Sequence, residues 1–441
     1  MSTILDQPIS ATQSSARPEI SKEQANVIAD PAAHADGRLL QVFADLRRNQ
    51  PLGIARPDGF DPFWVVTRQA DLRAIALRGD DFLSGARDPV LTPRAASEQM
   101  RKMLDGRDFP LRSIVYMDRP DHPIYRAVAS DFFHARNLDK LAEDIRGTAA
   151  GFVERMLAFD GACDFSQDVA FLYPLHVIMK IMGVPIEDEP LMLRLSKEFA
   201  GASDGDLARS GKANSGSDLG QALVELTNDF NKYFDKMMED RRASPKSDLV
   251  SVIANAQING ERMPALEARS YCMVAATAGH DTTAAVTAGG MLALCENPGL
   301  LDQIRDNPEQ IKAFVEEAAR LYTPVKLTMR SAAQDIELVD RQFQKGEWIA
   351  MAWASGNRDD EVFEDPDVFR MDRRPNKLIS YGNGPHVCLG QHLARLEMRL
   401  FFEELARNVE SVELAGEPKY MASFLVSGLK SLPIRFNRRR V

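Results

Sequence analysis

The chain has few of the residues that mark the simplest functional classes. Its four cysteines (Cys163, Cys272, Cys295 and Cys388) lie far apart and form no CxxC pair. That spacing excludes a disulfide framework and suits a reducing compartment, so a cytoplasmic protein is expected. Basic residues are outnumbered, 54 Lys and Arg against 64 Asp and Glu, for a net charge of −10. Such a balance argues against nucleic acid as a partner. The first 35 residues are polar, rich in Ala and Ser, and lack the apolar core of a signal peptide. They read as a flexible arm, 1–35, ahead of a single domain, 36–441.

A membrane span is also missing. The stretch from Tyr271 to Leu294 is long enough to cross a bilayer, but His280, Asp281, Thr282 and Thr283 sit at its centre. A mid-bilayer Asp is costly, so the stretch reads as a buried helix of a protein that does not enter the membrane.

What remains is ordinary globular material, 44% hydrophobic and 27% charged. A chain of this length can bury a large core and enclose a cavity. Helical spacing covers Asp36–Asn49, Gln69–Leu77 and most of Pro120–Gln257. Pro264 opens a long helix that Pro298 stops, and Leu389–Arg407 forms the last helix. Short strands are expected near residues 53–56 and 63–67 and across Val325–Met371, with a hairpin-like end at Leu425–Phe436. Ser84–Val115 reads as a long loop with short helical pieces, and the Gly/Ser/Asp-rich segment Gly201–Gly216 as mobile.

The most informative stretch is Tyr381-Gly-Asn-Gly-Pro-His386-Val-Cys388-Leu-Gly390. A thiol just ahead of a helix start faces backbone N–H groups and the positive end of the helix dipole. Those factors favour thiolate, a soft ligand for iron, and the glycines let a large flat group approach. Two other readings compete. Most unpaired cysteines are merely buried. A zinc site could draw on His386 and His392, but it would lack a fourth ligand.

Three further clusters accompany the cysteine. Ala278-Gly279-His280-Asp281-Thr282-Thr283 places poor helix formers in mid-helix, where Gly279 makes room and Thr282 offers a hydroxyl. Glu317 and Arg320 stand three apart on one helix face. His122 and Arg126, one turn apart, could hold carboxylates.

Together these segments resemble the cytochrome P450 family. The cysteine stretch is similar to its haem-binding signature F-x-x-G-x-H-x-C-x-G, with Tyr381 in place of Phe. The resemblance implies a mainly α fold with a smaller β-rich lobe, the triangular helical prism of that family around a buried haem b. It implies Cys388 as axial ligand of the iron, with Gly279 beside the cofactor. His122, Arg126, Arg330 and His386 are then expected to bind the haem propionates. Thr282 and Asp281 match the family's oxygen-activation motif, A/G-G-x-D/E-T, and are expected to be catalytic. Glu317, Arg320 and Arg373 match its structural ion network. The implied activity is a monooxygenase that inserts one oxygen atom of O2 into a C–H bond.

The resemblance covers about residues 36–438. In Tyr173–Ile178, Ile186–Leu191 and Ser355–Asp359 the chain most resembles the soluble bacterial members that hydroxylate alpha-terpineol. A small hydrophobic substrate, terpenoid or aromatic hydrocarbon, is therefore expected, lined by Met100, Met103, Leu104, Phe109, Ala275, Val325, Leu327 and Leu425. No flavin or nicotinamide fingerprint is visible. Electrons are expected from an iron–sulfur ferredoxin with its NAD(P)H-dependent reductase, docking on some of Arg370, Arg373, Arg374, Lys377, Arg395 and Arg399, with Arg373 the least suited because the ion network claims it. A monomer is expected. The alternatives are a peroxide-driven peroxygenase, whose relatives usually lack the acid–Thr pair, and a non-catalytic haem sensor.

Overall fold

A computed structural model describes residues 17–440. Its organising element is the 32-residue helix Ala265–Glu296, entered from Pro264 and left at Asn297, just before Pro298. At 1.5 Å per residue it runs about 48 Å through the molecule. Nearly all its faces are buried, which explains its lack of an amphipathic stripe. The helices Leu172–Met182, Glu189–Ala200, Gly216–Ala243 and Ile311–Leu321 pack around it. The final helix, Gln391–Asn408, crosses beneath. No helix among the described residues is long and apolar enough to cross a membrane.

The β-rich lobe is a five-stranded sheet in the order Leu52–Ala55, Phe63–Val66, Trp348–Met351, Thr328–Ala332, Phe82–Leu83. Only the central pair is parallel, with Trp348 opposite Phe63; the rest are antiparallel, with Ile349 opposite Arg330. The strands expected near residues 53–56 and 63–67 are thus present.

Three expectations need correction. Residues 17–35 are not a loose arm. Ser21 and Gln24 form a reciprocal cap on the helix Lys22–Ile28, Asp30 caps Pro31–Ala35, and Ile20, Ala25 and Ile28 are buried in the core beside the sheet. The part of that arm at 1–16 lies outside the described residues. The C-terminal strands do not form a hairpin with each other. Leu429–Ser431 pairs with Lys419–Tyr420, whereas Pro433–Arg438 sits between Val409–Leu414 and Ala162–Asp164. The Gly201–Gly216 segment is tied down: Asp204 accepts from Lys430 Nζ at 2.8 Å and from the Ala422 N–H at 2.9 Å.

One buried acid carries a prediction. Glu397, fully enclosed on the last helix, has no hydrogen-bond partner for either carboxyl oxygen among the described residues. Burial pushes its carboxyl well above the usual range. An acid raised in the folded state holds its proton after the unfolded chain has released it, so stability falls as pH rises above the ordinary carboxylate value. Glu397→Gln removes that slope. The melting temperature of the variant minus that of the parent should therefore rise between pH 5 and pH 8. The rise should be worth more than about 1 kcal/mol, because a tenfold difference in proton affinity between folded and unfolded chains corresponds to about 1.4 kcal/mol. A difference that is the same at both pH values would refute it.

Candidate active site

A cavity of about 320 Å³ lies between the long central helix and the cysteine loop. The helix supplies a stripe at three- and four-residue intervals: Tyr271, Val274, Ala275, Ala278, Gly279, Thr282, Thr283 and Val286. Opposite it, the Cys388 thiol opens into the cavity.

The loop that carries Cys388 is held by its backbone. Cys388 N donates to Tyr381 O at 2.8 Å, and Arg126 Nη2 donates to Val387 O at 2.7 Å. Gly384 has φ +72°, and a Cβ there would meet Ala76 O at 2.1 Å, so only glycine fits. Burial raises the thiol above its ordinary pKa, while the N–H groups of Gly390 and Gln391 and the charges of Arg126 and Arg395 pull it down. The helix start favours thiolate as the sequence suggests, but desolvation is the larger effect.

Four cationic or donor side chains from three distant segments line the same cavity: His122, Arg126, Arg330 and His386. The His122 and His386 rings lie 4.2 Å apart. Burial lowers His122 to about 4, with help from the neighbouring His386 and Arg126 charges, and lowers Arg330 to about 10. Asp118 is the acid beside them, its Oδ1 3.7 Å from His386 Nε2 and its carboxylate bonded to the Ser84 and Gly85 N–H groups. Buried polar atoms without a partner are rare in folded proteins. Yet His122 Nε2 and the Ser84, Ser113 and Tyr381 hydroxyls all lack one among the described residues, and all four residues line the cavity. A thiol facing an apolar helix stripe, with donors gathered at the rim, fits a flat iron porphyrin with two carboxylates. Among the described residues no group of three His, Cys, Asp or Glu side chains is arranged to hold a bare metal ion.

The oxygen-activation segment divides across the central helix. Thr282 lines the cavity, and its hydroxyl donates to Ala278 O at 3.0 Å. Asp281 does not line it: it is buried behind, with Oδ1 3.1 Å from His280 Nδ1. Gly279 lines the cavity, and its tightest constraint is another lining residue, since a Cβ would come 2.9 Å from Ile178.

Of the expected substrate-lining residues, Ala275 and Val325 reach the cavity wall. The others do not. Met100 is buried in the main core, Met103 is 40% exposed at the surface, and Phe109 stacks on Tyr116. Leu104 and Leu425 pack against the main core, and Leu327 lies in the core beside the sheet. The structure instead brings Phe133, Ile114, Val115 and Val274 to the wall. The helix stripe was available in the sequence, because Tyr271, Val274 and Val286 share the spacing of Ala275, Gly279 and Thr282.

The family model described as cytochrome P450 matches residues 113–434. The chain belongs to the cytochrome P450 family. It is 38% identical to cytochrome P450-terp of a Pseudomonas species over 425 residues, 96% of this chain and 99% of that one. It is 30% identical to a steroid C26-monooxygenase of Mycolicibacterium smegmatis over 398 residues, 89% of each chain. The crystal structure of CYP108D1 from Novosphingobium aromaticivorans superimposes with a TM-score of 0.88 at 36% identity, over 96% of this chain and all of that one. The chain is thus a cytochrome P450 monooxygenase, and membership implies a haem cofactor, dioxygen and a redox partner.

Beneath this P450 site lies the expected ion network. Glu317 and Arg320 are fully buried and paired at 2.7 and 2.8 Å, and Arg373 Nε reaches Glu317 Oε1 at 3.0 Å. Arg320 also donates to Asn357 O and Pro366 O, at 2.7 and 2.6 Å.

Proposed function

We propose that this P450 hydroxylates a small, largely apolar terpenoid or aromatic hydrocarbon, using haem b and electrons from a ferredoxin and its NAD(P)H-dependent reductase. The observation that carries the reading is the cavity wall above Cys388. Ile114, Val115, Val274, Ala275, Val286 and Val325 line it together with Thr282, and the charged side chains in that lining are those assigned to the cofactor's carboxylates. The likeness to cytochrome P450-terp supports the terpenoid part of that reading. Bound haem supplies the oxygen-activating chemistry. In this reading Cys388 would hold the group through its sulfur, and His122, Arg126, Arg330 and His386 would anchor its carboxylates. Thr282 presents a hydroxyl to the guest's side of the cavity. Asp281 lies behind the helix beside His280, and its charge supports the ammonium of Lys197, which burial lowers. The purified protein, with a ferredoxin, its reductase and NADH, should convert alpha-terpineol or a comparable guest to a hydroxylated product carrying one atom of labelled dioxygen. No spectral response to any member of a terpene and aromatic panel would remove the substrate assignment.

Thr282→Ala should separate electron use from product formation. NADH consumption is expected to stay within about twofold while product per NADH falls about tenfold or more, the lower end of what a positioned proton donor contributes being about a hundredfold. Unchanged coupling would count against a role for the hydroxyl.

The basic cluster expected to meet the ferredoxin is mostly neutralised internally. Arg370 pairs with Glu364, Asp365 and Asp372, Arg395 with Glu316, and Arg399 with Glu403, while Arg373 is claimed by Glu317. Arg374 is exposed and donates only to the backbone carbonyls of Met371 and Arg373 among the described residues. Arg374→Glu should raise the ferredoxin KM about tenfold at low salt, and Arg370→Glu far less. Equal effects would dissolve the distinction.

A further inference from the structure

Between the helix Ile311–Leu321 and the strand Thr328–Ala332 the chain has no regular structure. Val325, in the middle of that stretch, lines the cavity. An irregular segment has no ladder to fix it, so its position depends on separate tethers. Two are backbone bonds: Ser427 N to Pro324 O at 2.8 Å and Ala354 N to Lys326 O at 3.1 Å. From Pro324 onward the third is a side chain, Thr323 ahead of it being held by Asn357 Nδ2 at 2.7 Å. Lys326 Nζ donates to the carbonyl of His34, at the end of the helix Pro31–Ala35.

That carbonyl is a junction. It also accepts from Ser427 Oγ at 3.0 Å, and the His34 ring meets Phe424 edge-on at 5.3 Å. His34 itself is buried, with Nε2 3.1 Å from Ile28 O. One carbonyl thus gathers the N-terminal helix, the C-terminal turn and the segment that carries Val325. Lysine is a costly choice for the third tether. Burial is the main cause lowering its ammonium to about 7, Arg358 adds to it, and Asp36 opposes. A desolvated cation without a close carboxylate destabilises, and an apolar chain of similar length would fill the space without that penalty.

We propose that Lys326 is a positioning residue for the substrate, fixing Val325 in the cavity wall through the His34 carbonyl. This role rests on the P450 reading of the cavity and adds to it: the N-terminal helix takes part in fitting the guest. Without the tether Val325 shifts, and the room for a bulky guest changes while the cofactor's own ligands stay in place.

The test uses the haem-loaded protein and two iron-binding probes read by the Soret shift. Imidazole reports access to the iron alone; 4-phenylimidazole also presses on the wall. In Lys326→Met the ratio of the two Kd values should change about fivefold or more, the size of a small misfit in an apolar pocket. The imidazole Kd should stay within about twofold, and Lys326→Arg, which keeps a donor, should move the ratio back. Should Lys326→Met not accumulate as holoprotein, Ser427→Ala removes the other donor to the same carbonyl and should shift the ratio in the same direction. An unchanged ratio, or an equal change for both probes, overturns the positioning role while leaving the haem site intact. A parent protein that gives no response to imidazole overturns the haem reading and this inference with it.

Discussion

A Cys388→Ala variant should lose the red-shifted carbon monoxide band of a haem thiolate, and hydroxylation should fall to background. Access singles out this residue as well as motif. Of the four cysteines, only Cys388 lines the cavity. Burial pushes Cys163 and Cys295 up to about 12 and Cys272 higher still, so none of the three is poised as a thiolate. Cys388 is raised by burial too, but it alone faces two backbone N–H groups and two arginines that oppose the effect. Alanine at 163, 272 or 295 should accordingly leave the band in place. Persistence of the band in Cys388→Ala, with loss in one of the others, would assign the ligand elsewhere.

How much of this could be read in the chain depends on whether the signal was local. The central helix was plain because prolines bracket it and its apolar run is long. The cysteine loop was plain because Gly384 and its neighbours meet backbone constraints that only glycine satisfies. The helices of residues 17–35 could have been found: Ser21 and Gln24 have the capping-box spacing, and Pro31 follows Asp30. The three-residue strand Ala162–Asp164 could not, since its partner, Pro433–Arg435, lies far along the chain. Met100, Phe109 and Leu327 were misplaced for a related reason. Composition identifies an apolar side chain, but only tertiary packing decides whether it faces a core or a cavity. Orientation within the Asp281–Thr282 pair was not legible either: Thr282 lines the cavity, while Asp281 is buried off its wall beside His280.

Glu317→Gln should have the largest effect on stability and cost the cofactor site its shape. The carboxylate accepts from Arg320 Nε and Nη2, the Arg370 N–H, Arg373 Nε and Asn376 Nδ2, all within 3.0 Å. Burial alone would raise its pKa, but these bonds outweigh it and hold it below the ordinary value. Glutamine leaves Arg320 charged, fully buried and without a counterion, a cost of about 3–5 kcal/mol. The damage travels to the haem side by named contacts. Arg320 holds Asn357 O, Asn357 Nδ2 donates to Ser380 Oγ at 2.7 Å, and Asn357 Oδ1 accepts from Ile379 N at 2.7 Å. Those residues lead directly into Tyr381 and the cysteine loop, so haem retention should fall along with the melting temperature. The pH dependence has a definite sign. A carboxyl lowered by folding stabilises fully above its unfolded value, and that contribution is lost as pH falls through the folded value. The gap between parent and variant should be widest near pH 7 and close as the buffer drops below about pH 4, the ordinary carboxylate range. A gap that stays constant down to pH 3 would mean that Glu317 is not held ionised by its arginines, and the path from this pair to Cys388 would lose its anchor.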